Sequence, residues 1–179
     1  MYFMERLEQS FNGQEGQVLE DISIKDFVLI DSLSLDFTKG LTVFSGETGA
    51  GKSIFIGAIS FLLGGKGGSE LIRDGAQEAR VSGTLYLSPK HEEALQWLED
   101  HHIELDDNRI LLRRIVRLGG KSASWIQDAQ VTKTEVQEFT SLLVDIHGPH
   151  EHQSLMRSSE HRKFLDAYEG IEKNVCSFT

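Results

Sequence analysis

Segment 46–53 combines residue types and spacing that could bind phosphate. It reads Gly-Glu-Thr-Gly-Ala-Gly-Lys-Ser, a complete match to the phosphate-loop pattern G-x-x-x-x-G-K-S. Its glycines let successive backbone N–H groups approach a polyphosphate, and a helix that starts there adds the positive end of its dipole. Lys52 is predicted to contact the β- and γ-phosphates, and Ser53 to ligate Mg²⁺. The predicted nucleotide-binding residues are therefore Gly46, Glu47, Thr48, Gly49, Ala50, Gly51, Lys52 and Ser53.

A phosphate loop needs a strand before it and a helix after it, and the sequence predicts both. Residues 41–45 form a nearly continuous apolar run, which is typical of a buried strand. Residues 52–63 are apolar on nearly every face, which predicts a helix inside the protein. Gly64 and Gly65 end that helix. The loop therefore has the local context that phosphate binding requires.

The rest of the chain predicts a mixture of strands and helices. Alternation of polar and apolar residues predicts strands over residues 21–27, 33–37 and 81–87, and a hairpin of residues 109–118 and 122–126 around Gly119-Gly120. Three helices are predicted: from Ser88-Pro89 to about residue 101, from the capping box Thr132-Lys-Thr-Glu135 towards residue 142, and over residues 160–168. These elements indicate an α/β fold with a sizeable antiparallel component.

Length and composition place the chain among ordinary globular proteins. It has 179 residues, of which 39% are hydrophobic and 26% charged. Its single cysteine, Cys176, has no internal partner for a disulfide, which indicates a reducing compartment. The longest apolar stretch, residues 54–63, is far shorter than the roughly 20 residues of a membrane helix, and residues 1–10 do not have the pattern of a signal peptide. We therefore predict a cytoplasmic protein without membrane partners.

The charge balance argues against general DNA binding by this chain alone. It carries 18 basic and 28 acidic residues, a net charge of -10, whereas affinity for nucleic acid depends on Lys and Arg. The only dense basic stretch contains Arg109, Arg113, Arg114, Arg117 and Lys121. Two interpretations remain open for it: contact with DNA phosphates, or a solvated strand face that balances the acidic surroundings.

Carboxylates and histidines later in the chain offer weaker signals. An ATPase also needs a carboxylate at a strand end to hold Mg²⁺, and the candidate is Asp145 at the end of the apolar run 142–144. An ordinary buried strand that happens to end in Asp is the alternative. A metal site could use Glu151 and four histidines, but the spacing matches no closed structural site. These histidines are His147, His150, His152 and His161.

An ordered set of motifs resembles the RecN family of SMC-like, ABC-type ATPases, which act in bacterial DNA repair. The motifs are Ser23-Ile-Lys-Asp-Phe27, the segment 41–53, Leu71-Ile-Arg-Asp-Gly-Ala76, Leu111-Leu-Arg-Arg114, Leu143-Val-Asp-Ile-His-Gly148, His150-Glu-His-Gln-Ser-Leu155 and Leu165-Asp-Ala167. The resemblance covers about residues 21–170, and residues 144–155 are its most specific part. It implies the N-terminal half of an ATPase head that a long coiled coil separates from its C-terminal half.

The resemblance also implies cofactors, partners and further site residues. It implies binding of ATP with Mg²⁺, which drives dimerisation with a second head. Two composite sites form in such a dimer, and the ABC signature and the strand ending in Asp-Glu are both missing here. Poor ATP hydrolysis is therefore expected from this chain without a C-terminal head half, and DNA contact is expected only through the full assembly. Arg73 lies in a segment that is near the nucleotide in SMC-like heads. Gln153 is the candidate for Mg²⁺ and for the attacking water, because Pro149 occupies the position where the family usually has glutamine.

The expected organisation follows from the resemblance. Residues 1–20 are predicted to be a flexible extension, residues 21–170 the N-terminal lobe of the head, and residues 171–179 the start of a coiled-coil arm or a disordered tail. The expected fold is a P-loop NTPase of ABC/SMC type with a mixed sheet and an antiparallel β subdomain, located in the cytoplasm and near the nucleoid. The family's Asn-Gly hairpin turn is replaced by Gln127-Asp128, which should weaken the preference for a tight turn.

Two other functions are compatible with a phosphate loop. One is a small kinase that phosphorylates a metabolite. Strands precede the loop, and only residues 109–117 could form the arginine-rich lid that such a kinase needs. The other is a non-catalytic module that binds ATP to dock a partner.

Overall fold

The described strands form one six-stranded antiparallel sheet. The computed structural model describes residues 18–38, 42–44 and 50–144. The strands are β1 (Leu19–Phe27), β2 (Ile30–Asp36), β3 (Glu78–Tyr86), β4 (Arg109–Arg117), β5 (Ser122–Ile126) and β6 (Ala129–Val131). Their spatial order is β2-β1-β3-β4-β5-β6. This sheet is the predicted antiparallel subdomain, and no parallel pair occurs within the described residues.

Three helices accompany the sheet. They are α1 (Ala50–Leu62), α2 (Glu92–Asp100) and α3 (Lys133–Ser141), with a short 3₁₀ turn at Ser69–Leu71. Helix α1 packs on β3 and β4, and α3 packs on β5. Trp97 of α2 contacts Phe139 of α3, with 5.1 Å between ring centroids. The helices therefore lie over the sheet and bury its apolar face.

Strand alternation decides which side chains enter the core. Ile22 and Ile24 of β1 are opposite Gly83 and Val81 of β3, and Gly83 is opposite Leu112 of β4. The four large residues among them are buried, whereas their strand neighbours are more exposed. Gly83 permits a close approach here: a Cβ at this position would lie 2.7 Å from the Asp21 carbonyl oxygen and 2.9 Å from Leu62 Cδ2. The end of α1 therefore packs directly onto the middle of the sheet.

Several local predictions are confirmed. Strand β1 begins at Leu19, two residues before the predicted start, and α1 occupies nearly the predicted range. Gly119 and Gly120 connect β4 to β5 with φ of 90° and 77°, the left-handed conformation that the hairpin prediction required. The capping box at the start of α3 is present: the Thr132 side chain accepts from Glu135 N, and Glu135 Oε2 accepts from Thr132 N.

The turn between β5 and β6 is tight despite its unusual residues. Ile126 is opposite Ala129, so only Gln127 and Asp128 lie between the strands. Gln127 takes a φ of 53°, and its Oε1 accepts from Leu111 N at 3.2 Å. The side chain thereby ties the turn to β4, a contact that Asn-Gly could not make in the same way.

The predicted strand over residues 41–45 is wrong in its described part. Residues 42–44 have no strand assignment, and Val43 and Phe44 are 63% and 38% exposed. A strand needs a neighbour for its backbone groups, and none of the six described strands pairs with these residues. Apolar composition predicted burial, but it could not supply the hydrogen-bonded partner.

The predicted start of one helix and one predicted strand are also wrong. Helix α2 begins at Glu92, not at Ser88-Pro89, because Ser88 and His91 close a turn: Ser88 N donates to His91 Nδ1 at 3.0 Å, and His91 N donates to the Ser88 carbonyl at 3.0 Å. Residues 142–144 follow the end of helix α3 at Ser141 instead of forming a strand. Leu143 is apolar because it packs into the core at this helix end, where its N–H donates to the Thr140 carbonyl.

No helix in the described part of the chain is long and apolar enough to cross a membrane. The predicted helix over residues 160–168 lies outside the described residues.

Candidate nucleotide site

Helix α1 begins inside the phosphate-loop motif. Its first residues are Ala50, Gly51, Lys52 and Ser53, and its first turn contains no acidic residue. Gly51 is exposed, and a Cβ there would meet nothing within 4 Å among the described atoms. The predicted binding residues Gly46, Glu47, Thr48 and Gly49 lie outside the described residues. The described part of the motif therefore presents a helix N-terminus with a lysine and a serine, the arrangement that suits an anion.

Aromatic packing holds the chain on both sides of the loop. The rings of Phe44, before the loop, and Phe55, in the second turn of α1, have centroids 4.6 Å apart. Phe37 meets Phe44 edge to face at 6.4 Å. Phe55 is buried, so its ring is a fixed support. These contacts bring the two ends of the loop onto one apolar cluster.

A buried arginine holds the other end of α1. Arg114 of β4 is 1% exposed, and its Nη1 donates to the carbonyls of Phe61 and Gly65, the second at 3.0 Å. Its Nε donates to Ser124 Oγ in β5 at 3.0 Å, and its Cζ lies 4.2 Å from the Phe61 ring centroid. Burial lowers the pKa of Arg114 to about 10, which leaves the guanidinium charged at neutral pH. A cation thus lies at the negative end of the α1 dipole.

Two further carbonyls at this helix end are also paired. Thr140 Oγ1 of α3 donates to the Leu63 carbonyl at 3.0 Å, and Gly65 N donates to the Ser60 carbonyl at 2.7 Å. Gly64 has a φ of 94°, so it ends the helix in the left-handed conformation. Residues of β4 and α3 therefore bond the C-terminal end of the phosphate-loop helix, and Ser124 of β5 bonds Arg114 there.

The basic stretch 109–121 is not a single solvated face. Arg109 pairs with Glu20, and Arg117 pairs with Glu78, at 2.6 and 3.0 Å. Arg113 lies over Trp125, with 4.7 Å from Cζ to the ring centroid. Arg114 is on the opposite, inner face, so the expectation that the whole stretch is solvated is wrong for it. The signal was present: Ile110, Leu112, Arg114 and Val116 share one face of β4 by alternation.

Arg73 is fixed beside the β1–β2 turn. Its Nη1 lies 2.9 Å from Asp31 Oδ1, and its backbone N–H donates to the Asp26 carbonyl at 2.9 Å. Its role as a nucleotide contact stays a prediction. Asp145, Gln153 and the histidines from His147 onward lie outside the described residues. Among the residues that the structure describes, no group of three or more metal-ligating side chains occurs.

The fold and the helix that starts in the phosphate loop define a lobe of an ATPase head. A family model described as an AAA domain matches residues 21–143, and the chain therefore belongs to this family. Its sequence matches the N-terminal part of the DNA repair protein RecN. The identity is 44% to RecN of Treponema pallidum and 46% to RecN of Halalkalibacterium halodurans, over 90% and 86% of this chain. The chain spans only 28% and 27% of the length of these two relatives.

Solved structures show the same fold. An SMC ATPase from work on ATP-driven dimerisation superposes with a TM-score of 0.59 at 23% identity, covering 84% of this chain and 99% of that one. The Smc head domain of Pyrococcus furiosus, with an extended coiled coil, gives 0.62 at 24% identity, covering 86% and 42%. The recombination mediator RecF gives 0.55 at 19% identity, covering 83% and 37%. The predicted ABC/SMC-type head fold is confirmed.

Proposed function

We propose that this chain binds ATP with Mg²⁺ at the N-terminus of α1, as the N-terminal lobe of an SMC-like ATPase head that acts in DNA repair. Lys52 contacts the β- and γ-phosphates, Ser53 ligates Mg²⁺, and the backbone of residues 46–51 surrounds the phosphates. Arg73 and Gln153 are proposed as further contacts, with the nucleotide and with Mg²⁺ and the attacking water respectively.

The observation that carries this proposal is the start of α1 at Ala50. This start puts the backbone N–H groups of Gly51, Lys52 and Ser53 in the first turn, at the positive end of the helix dipole. The first turn also lacks acidic residues, which would compete with phosphate for these groups. The phosphate-loop motif and the helix N-terminus therefore coincide, as the chemistry of the motif requires.

The proposal includes partners outside this chain. The curated relatives are named DNA repair protein RecN, and the similar SMC structure comes from work on ATP-driven dimerisation. We propose that residues 21–170 form one lobe, that a C-terminal head half completes it, and that two heads dimerise with ATP between them. DNA contact belongs to that assembly, in the cytoplasm, and this chain alone turns over ATP poorly.

Binding of a fluorescent ATP analogue to the purified chain, with and without Mg²⁺, tests the proposal. Lys52→Ala removes a charged phosphate contact and should weaken binding by roughly tenfold or more. Ser53→Ala should bind the nucleotide with Mg²⁺ no better than without it. Lys66→Ala is the matched control, because Lys66 is an exposed lysine just beyond the opposite end of α1. Equal binding by all four proteins, or none by the wild type, would overturn the proposal.

A further inference from the structure

Arg114 connects the phosphate-loop helix to two strands of the sheet through neutral acceptors only. Its partners are the carbonyls of Phe61 and Gly65 and the hydroxyl of Ser124. Among the described residues, no carboxylate pairs with it. We propose that Arg114 is a positioning residue of the nucleotide site, which holds α1 in place so that its N-terminus meets the phosphates. This inference rests on the proposed binding of ATP at that N-terminus.

The contacts of Arg114 restrict two movements of α1, sliding along its axis and rotation about its axis. Nη1 donates to the carbonyl of Phe61 at the helix end and to the carbonyl of Gly65 just after it. These two hydrogen bonds restrict sliding of α1 along its axis. The guanidinium plane packs on the Phe61 ring, which restricts rotation about the axis. The Nε bond to Ser124 anchors the guanidinium itself to β5. One side chain thus restricts the position and the rotation of α1 and is itself anchored to β5.

Arg114 is too far from the phosphate loop to touch a nucleotide. At 1.5 Å per residue, the helix from Ala50 to Leu62 is about 18 Å long. Any influence of Arg114 on binding must therefore pass through α1. A helix is stiff over this length, so an error of axis position at one end appears at the other.

Burial of the Arg114 charge costs solvation free energy, and a hydrophobic side chain could fill the same space without that cost. Burial lowers the pKa of Arg114, which shows that the charged form has lost solvation. Hydrophobic residues of similar volume often replace buried charges without loss of stability. What they could not provide is a donor to both helix-end carbonyls and a cation at the negative end of α1. The geometry points to a demand for exact helix placement.

Coupling between two sites is reciprocal, which gives the inference a second consequence. If the Arg114 contacts strengthen nucleotide binding by holding α1 in place, a bound nucleotide must stabilise those contacts by the same coupling free energy. Amide hydrogen exchange should then slow in β5, because its Ser124 anchors Arg114 whereas α1 packs mainly on β3 and β4.

Nucleotide affinity of Arg114 variants is the first test. Arg114→Met keeps much of the volume but removes the charge and all donors, and should raise the Kd for Mg-ATP by about tenfold, with Arg114→Lys between it and the wild type. Arg113→Met is the matched control, because Arg113 lies over Trp125 and its Nε has no hydrogen-bond partner among the described residues. Its Kd should stay within about twofold of the wild type. Circular dichroism establishes that each variant is folded.

Hydrogen exchange of the wild-type chain, with and without Mg-ATP, is the second test and needs no variant. Slower exchange in β5 on binding supports the inference, and unchanged exchange there overturns it even where Arg114→Met fails to fold. An unchanged Kd in folded Arg114→Met also overturns it while leaving the proposed function intact. If the wild type binds no Mg-ATP, the proposed function itself fails, and the two failures are thereby distinguished.

Discussion

The guanidinium of Arg114 lies over the ring of Phe61, with Cζ 4.2 Å from the ring centroid, while its Nη1 donates to the carbonyl of the same residue. One phenylalanine thus receives both a cation–π contact and a charged hydrogen bond from the sheet. Phe61 is 1% exposed and also meets Phe27 of β1, with 6.0 Å between ring centroids. The last turn of α1 is therefore joined to β1 by aromatic packing and to β4 by a cation–π contact and a hydrogen bond.

Truncation of this joint should destabilise the fold. Arg114→Ala leaves a cavity in the core, and it leaves the Gly65 carbonyl and the Ser124 hydroxyl without their partner. We expect the free energy of unfolding to fall by about 3 kcal/mol, with a smaller loss for Arg114→Met because it fills more of the space. Urea titration followed by circular dichroism measures both. Equal losses for the two variants would show that packing volume is irrelevant at this site.

Two glycines, Gly83 in β3 and Gly57 in α1, should respond oppositely to alanine. A Cβ at Gly83 would lie 2.7 Å from the Asp21 carbonyl oxygen and 2.9 Å from Leu62 Cδ2, so β1 or α1 must shift. Gly83→Ala should lower the free energy of unfolding by about 1–3 kcal/mol, the usual range for overpacking.

Gly57→Ala is the matched substitution inside α1. Among the described atoms, a Cβ there meets nothing within 4 Å, and alanine favours the helix more than glycine does. We expect a gain of about 0.5–1 kcal/mol in the free energy of unfolding. The melting temperatures of the two variants, recorded under one set of conditions, should move in opposite directions. A loss of stability in Gly57→Ala would contradict the open space at that position.

The capping box of α3 gives a prediction about a single hydroxyl. Thr132 Oγ1 accepts from Glu135 N at 3.2 Å, and Thr132→Ala leaves that N–H without this acceptor. The free energy of unfolding should fall by about 1 kcal/mol, whereas Thr132→Ser keeps the oxygen and should lose only a few tenths. Thermal melts of the three proteins provide the comparison, and a serine variant as unstable as the alanine variant would argue against capping.

Glu78 predicts a pH dependence of stability. Hydrogen bonds from Arg80 and, further, from Arg117 hold the pKa of Glu78 below its ordinary value. Since the folded pKa is lower than the unfolded one, this contribution is present above about pH 5 and is lost as the pH falls through the folded pKa. The pairs are partly exposed, so we expect about 0.5 kcal/mol at most, and less in 1 M salt.

Glu78→Gln isolates this effect. At pH 7 the variant should be slightly less stable than the wild type, and the difference in urea midpoint should shrink as the pH is lowered to 3. A difference that persists unchanged at pH 3 would mean that the carboxylate charge is not the source.

Features with local causes were predictable from the sequence. The start of α3 depends on side chains three residues apart, and the β4–β5 turn depends on Gly119 and Gly120 themselves. The range of α1 follows from the phosphate-loop motif and from the glycines that end the helix. Such signals act within a few residues, so no knowledge of the rest of the chain is needed.

Features that depend on distant partners were mispredicted. Residues 42–44 have strand composition but no described strand beside them. The start of α2 was mispredicted for a local reason, because Ser88 bonds His91, three residues later, in a turn that precedes the helix. Leu142 to Val144 look like a buried strand because burial at a helix end and burial in a sheet select the same apolar residues.

The sequence by itself therefore determined the phosphate-loop motif, the helix that follows it, the capping box of α3, the β4–β5 turn, and the period-two pattern that separates Arg113 from Arg114. Only the tertiary structure decided that the Arg114 side faces inward. That choice depends on where α1 packs, because a charge can be buried there only if the carbonyls at the helix end and Ser124 of β5 arrive together to bond it. Those groups lie up to 53 residues away in the chain, so their convergence is a property of the fold.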